Sequence, residues 1–113
     1  MKNNINGEVL ETKLLRLGFR ENIMGTLFVR EAIKLWQPMT SITAEIYPAV
    51  AEKYGSTPGR VERAIRHAIE TAWERAEYNT MIDCFGYTID PERGKPSNSE
   101  FISRMARVCS NAD

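Results

Sequence analysis

Between Val61 and Trp73 the apolar residues Val61, Ala64, Ile65, Ala68, Ile69, Ala72 and Trp73 recur at i, i+3, i+4, i+7, i+8, i+11 and i+12. Only a helix gathers them on one side, because a turn of about 100° per residue stacks every third and fourth side chain. A strand of the same residues would scatter them over both faces. The stripe therefore demands a helix with a core to lie on. Thr57 and Pro58 mark its start: a threonine oxygen can accept from a free amide at the N-cap, and proline suits the first helical position. The helix is predicted over about residues 58–75.

The rest of the chain punctuates into further helices. Leu10, Leu14 and Leu17 at i, i+4, i+7 place one over residues 8–17, with Gly18 just past its end. Met24, Leu27, Phe28, Leu35 and Trp36 lie near one stripe over residues 22–36, which Gln37-Pro38 stops. A third begins at Thr40 or Ser41 and runs to Tyr54 through Ile42, Ile46, Ala49 and Val50; Pro48 inside it implies a kink or a late start. A short helix over residues 78–85 ends at Gly86. Pro91, Gly94 and Pro96 make residues 87–97 a loop. Ser97 and Glu100 form a capping box for a last helix that turns Ile102, Met105, Ala106 and Cys109 inward. The fold class is all-α, a compact six-helix domain over residues 8–113. Residues 1–7, polar and rich in asparagine, read as a flexible tail.

With 113 residues the chain holds one core, and 42% hydrophobic against 27% charged residues is the balance of a folded domain. It has no apolar run long enough to span a membrane and no secretory leader at its N-terminus. Cys84 and Cys109 lack zinc-ligand spacing and suit a reducing cytoplasm. No metal or cofactor is implied. His67 is the single histidine, and no serine or aspartate stands in a catalytic context around it. With no glycine-rich phosphate loop either, an enzyme is not indicated.

Fifteen basic residues balance fifteen acidic ones. This excludes a protein that coats nucleic acid by bulk charge, but not one with a local basic face. Such a face lies opposite the Val61–Trp73 stripe, where Gly59, Arg63, Arg66 and Glu70 project, flanked by Arg60, His67 and Glu62. Arginine can grip guanine O6 and N7 together, and glutamate can accept from cytosine N4. A solvated ion-pair ladder fits too, since Glu62–Arg66 and Arg66–Glu70 are both i, i+4 pairs. Ala51, Gly55 and Val61 upstream favour the first possibility. The small alanine permits a close helix crossing, the glycine a sharp turn, and the valine packs the second helix back on the first, as a helix-turn-helix requires.

The string Thr57-Pro58-Gly59-Arg60-Val61-Glu62-Arg63-Ala64-Ile65-Arg66-His67-Ala68-Ile69-Glu70 resembles the recognition helix of the stage-zero sporulation response-regulator family, transcription factors of endospore-forming bacteria. Residues 60–70 match without a change. Further matches are Ser41-Ile42-Thr43, Tyr47-Pro48, Ala72-Trp73, Phe85-Gly86-Tyr87-Thr88 and Lys95-Pro96-Ser97-Asn98-Ser99-Glu100-Phe101-Ile102. With Leu27 and Arg30-Glu31-Ala32-Ile33 upstream, the resemblance covers residues 8–109.

It implies a six-helix effector domain whose third and fourth helices form the helix-turn-helix. It implies binding to promoter boxes of the TGTCGAA type in double-stranded DNA, to activate or repress transcription that starts sporulation. By the same resemblance Glu62, Arg63 and Arg66 face bases. Thr57, Arg60 and His67 hold phosphates, joined by Ser41, Thr43 and Lys95. The fifth helix, around Thr80, Ile82 and Phe85, meets the RNA polymerase sigma subunit. The chain departs from the pattern at Gly59, where the family has serine, and at Ala76, where it favours glycine. It also lacks the family's receiver domain, so by the resemblance it reads as an excised effector domain or a truncated relative.

A neutral single domain buries little DNA surface, so a monomer in solution that pairs in tandem on DNA is expected. The alternative is a helical protein-interaction module without DNA binding. Periodicity places Trp36, Trp73, Phe28 and Phe85 in the core, Cys84 and Cys109 as buried thiols, and Arg104 and Arg107 in solvent. It leaves Tyr47 and Tyr78 open between core rim and interface.

Overall fold

The computed structural model describes residues 4–86 and 94–110. They form α1 (Gly7–Arg16), α2 (Met24–Leu35), a wide π-type turn (Ile42–Ile46) running into α3 (Tyr47–Tyr54), α4 (Pro58–Trp73), α5 (Tyr78–Phe85) and α6 (Asn98–Val108). The fold is all-α, as the periodicity requires.

Local chemistry sets the helix ends. The Asn6 side chain accepts from the Val9 amide at 3.1 Å and starts α1. At its other end Gly18 has φ +96°, and the amides of Gly18 and Phe19 donate back to the carbonyls of Leu15 and Leu14, both at 3.0 Å. This paired closure needs a left-handed residue, which glycine supplies without strain. Pro48 gives α3 a late start. The turn before it widens, so that Tyr47 donates to Ile42, and proline falls in the first turn of α3, the part of a helix that tolerates its missing N–H.

Packing centres on α2 crossing α4. A Cβ on Gly25 would come within 2.4 Å of the Ala64 carbonyl oxygen and 2.8 Å of the Ala68 methyl. One on Gly18 would come within 2.5 Å of the Ala72 oxygen. Ala64, Ala68 and Ala72 are thus a row of small residues, one turn apart, over which the N-terminal elements lie backbone to backbone. At the far end of α4 the rings of Phe19, Trp73, Phe85 and Phe101 interlock. Phe19 lies 5.2 Å from Phe101, and Trp73 meets Phe85 edge-on at 5.3 Å, the geometry that ring quadrupoles favour. Arg30 adds a two-pronged grip on the Glu11 carboxylate, joining α2 to α1.

Several expectations are corrected. Met24 and Leu35 are exposed; the inner face of α2 is instead Gly25, Phe28, Val29, Ala32 and Ile33, because the close crossing rotates the helix toward its smallest residue. Residues 4–7 are held rather than loose, with Ile5 bridged to Ser110 and the Asn6 amide donating to the Cys109 carbonyl at 2.8 Å. Residues 1–3 lie outside the described residues, as do Tyr87, Thr88 and Pro91. Neither arginine of α6 is merely solvated. Arg104 Nε donates to the Cys84 carbonyl at 2.6 Å, and the Arg107 guanidinium lies 5.0 Å over the Trp36 ring, a cation–π contact.

Cys84 and Cys109 are buried and free. Burial, with Cys84 close by, pushes the Cys109 thiol up to about 11 from its ordinary 9.0.

Three expectations check this fold. Gly25→Ala is expected to lower stability by about 1–3 kcal/mol in urea denaturation, since the α2–α4 backbones must part. Gly59→Ala, whose added methyl would meet only the Arg63 guanidinium at 3.5 Å, gains up to about 1 kcal/mol of helix propensity. The Cys109 thiol ionises more readily unfolded than folded, so its contribution to stability is intact below pH 9 and drains as pH rises toward 11. Denaturation curves across that range should fall less steeply for Cys109→Ala than for wild type.

Candidate nucleic-acid interface

The outer face of α4 begins at a tight entry. Gly55 ends α3 in the left-handed conformation, φ 64° and ψ 40°, and the Ser56 amide donates back to Ala51 at 2.8 Å. Thr57 is extended and its hydroxyl oxygen accepts from the Arg60 amide at 3.2 Å, with Pro58 next in the first turn. Ala51 and Val61, 3% and 0% exposed, seal the angle between α3 and α4. The helix-turn-helix spacing is realised in three dimensions.

With the stripe buried, Thr57, Gly59, Arg60, Arg63, Arg66 and His67 stand exposed and Glu62 half-buried. Arg60, Arg63 and His67 have no ion-pair partner among the described residues. The ion-pair ladder is only half present. Arg66 Nη1 donates to Glu62 Oε2, whereas Glu70 pairs at 3.3 Å with Lys95, not with Arg66. The Glu62–Arg66 pair thus sets one acceptor beside one donor on the outer face.

A groove of about 920 Å³ runs beside this face, lined by Thr43, Tyr47, Glu62, Arg66, Lys95 and Asn98 among others. It brings together four of the predicted site residues, Thr43, Glu62, Arg66 and Lys95, from three separate segments. Arg60, Arg63, His67 and Thr57 are not among its lining. Ser41 is exposed at the start of the π-type turn; its hydroxyl accepts from Ala44 at 3.0 Å and its amide donates to Glu45 Oε2 at 2.9 Å. In both Ser41 and Thr57 the hydroxyl hydrogen remains available to a phosphate oxygen.

The helical spacing gave no sign of Asn98. Its amide nitrogen donates to the Tyr47 hydroxyl at 3.0 Å and to the Glu62 carbonyl at 3.1 Å, tying the start of α6 to α3 and α4. Burial raises the Tyr47 phenol above its ordinary 10.0, and the bond from Asn98 opposes that rise. Tyr47 is therefore a buried strut, while Tyr78 is 73% exposed. The Glu70–Lys95 contact was equally hidden, because it joins a helix to a distant loop.

The expected sigma-facing set is corrected at two positions. Thr80 and Phe85 are 6% and 2% exposed. Thr80 donates to Glu77 Oε1 at 3.0 Å, and Phe85 is fixed against Trp73 in the aromatic cluster. Of the three, only Ile82, at 38%, reaches the surface. Among the described residues no group of three or more histidine, cysteine, aspartate or glutamate side chains could hold a metal, and no helix is long and apolar enough to cross a membrane.

Comparison with known protein families matches residues 10–108 to the family described as sporulation initiation factor Spo0A C terminal.

Asn98→Ala removes the tie between helices. It should lower stability by about 1 kcal/mol and move the Tyr47 phenol further up, read as a higher midpoint in an ultraviolet absorbance titration.

Proposed function

The chain belongs to the sporulation initiation factor Spo0A C-terminal family, the effector domain of a sporulation-initiating transcription factor, and from that premise we propose that it reads short promoter boxes in double-stranded DNA through the outer face of α4. One observation carries this proposal. Arg60, Arg63 and His67 are exposed, without ion-pair partners among the described residues, on the side of α4 opposite the core, beside a capped helix N-terminus whose dipole favours phosphate.

Roles divide by reach. Arg63 and Arg66 serve base edges, where a guanidinium can grip guanine twice. Glu62, already beside Arg66, accepts from a neighbouring cytosine N4. The pair thus suits a C–G step of the kind a TGTCGAA box contains. Arg60, His67 and Thr57 hold the backbone on one flank, and Ser41, Thr43 and Lys95 hold it on the other, fixing register without reading sequence. Tandem boxes supply the effective concentration that lets a protein monomeric in solution pair on DNA. The surface offered to the polymerase sigma subunit is the exposed side of α5, Ile82 with Tyr78 one turn before it. The domain works where the chromosome is, in the cytoplasm.

Fluorescence anisotropy with a box-bearing duplex and a scrambled duplex, at two salt concentrations, tests the assignment. Wild type should prefer the box and bind more weakly as salt rises. Arg63→Ala should lose about 1–3 kcal/mol on the box and narrow the preference. Arg60→Ala should weaken both duplexes alike and reduce the salt slope by about one. Equal binding of box and scramble by wild type would overturn sequence reading, and absence of binding to either would leave the interaction-module alternative.

A further inference from the structure

We propose that Glu70 is an intramolecular stand-in for a DNA phosphate, occupying the Lys95 ammonium in the free domain and so holding down its affinity for DNA of arbitrary sequence. This rests on the DNA-reading function proposed above and adds a residue that tunes it.

The geometry begins with a choice the helix did not have to make. Arg66 and Glu70 are one turn apart and could pair, yet Arg66 goes to Glu62, and Glu70 takes a cation from outside the helix, Lys95 at 3.3 Å. Lys95 stands just before the capping box of α6, whose Ser97 hydroxyl accepts from Glu100 at 3.1 Å while the Ser97 amide donates to Glu100 Oε1 at 2.8 Å. Its backbone is thereby positioned beside α4. Lys95 is one of the residues that line the groove with Thr43, Glu62 and Arg66, and its ammonium, turned to Glu70, sits at that groove's edge, the flank proposed above to hold the phosphate backbone.

Both partners are partly exposed, 39% for Lys95 and 44% for Glu70. Such a pair is weak and readily exchanged. That is what the role requires: a carboxylate neutralises the ammonium in solution, and a phosphate oxygen replaces it on a duplex. The charge balance supplies the reason. Phosphate attraction is independent of sequence and dominates non-specific binding. A domain with fifteen cations and fifteen anions keeps that attraction low when its groove-side cations are already matched, which leaves discrimination to the base-facing side chains.

The test is a double-mutant cycle on the scrambled duplex at low salt. Glu70→Gln should tighten binding about two- to five-fold. The gain should disappear in a Lys95→Met background, because there is then no ammonium to release. Glu74→Gln makes the same charge change one turn further on, where no ion pair forms among the described residues, and should have a smaller effect. A Glu70→Gln gain that equals that of Glu74→Gln, or that persists with Lys95→Met, would reduce Glu70 to a general negative charge and overturn the proposal. Lys95 and Glu74 are exposed and Glu70 partly so, and matching thermal melts confirm that each variant is folded. If wild type itself binds neither duplex, it is the DNA-reading function that falls, a result distinct from a cycle that shows no coupling.

Discussion

Where α2 crosses α4, Gly25 lies so near the Ala64 carbonyl and the Ala68 methyl that a single added carbon would collide with both. The rest of the domain follows from this approach. Because the inner face of α4 is committed to a backbone-to-backbone contact with α2, and at Ala72 to the turn at Gly18, the helix cannot rotate about its axis. Its opposite face is fixed as well, and the arginines on it point outward from a rigid mount. Interiors packed at crystal-like density transmit such a constraint without slack. Functional side chains held on a packed helix are also better positioned than those on loops.

The outer surface follows a different logic. Its residues are held by exchangeable contacts: a pair within α4 between Glu62 and Arg66, a pair across segments between Glu70 and Lys95, and the Asn98 bridge beneath them. The bridge is partly buried and joins three helices, so it belongs to the fold. The ion pairs are partly exposed and contribute little to stability; in the reading proposed above they set how much positive charge the free domain presents. A neutral chain thereby keeps a basic face without a basic surface.

Much of this was legible from residues alone. Thr57 with Pro58, Gly55, Gly18, and Ser97 with Glu100 are local signals, each acting over one helical turn, and they placed the helix ends and the helix-turn-helix. The seven-point stripe on α4 fixed which side of that helix is exposed. Periodicity failed where an element is set by its neighbour. In α2 the apolar residues Met24 and Leu35 looked like core, but the inward face is chosen by the glycine that permits close approach. In α5 the resemblance put Thr80, Ile82 and Phe85 on one surface, but Phe85 is buried against Trp73 and Phe101, as its periodicity indicated, and Thr80 is buried with its hydroxyl on Glu77. The contacts of Arg104 with the Cys84 carbonyl and of Arg107 with Trp36 leave no periodic trace, since long polar side chains reach partners that spacing does not index.

The amino-acid order by itself determined an all-helical chain, the amphipathic helix α4, its caps and the identity of its exposed cations, because each rests on hydrogen bonds and side-chain periodicity within a few residues. Only the tertiary structure decided which cations are free and which are held, how Thr43, Lys95 and Asn98 come to share one groove with Glu62 and Arg66, and which face of α5 meets solvent. Those depend on segments distant along the chain meeting in space, and such meetings are governed by shape at a crossing such as Gly25 rather than by any repeat in the sequence.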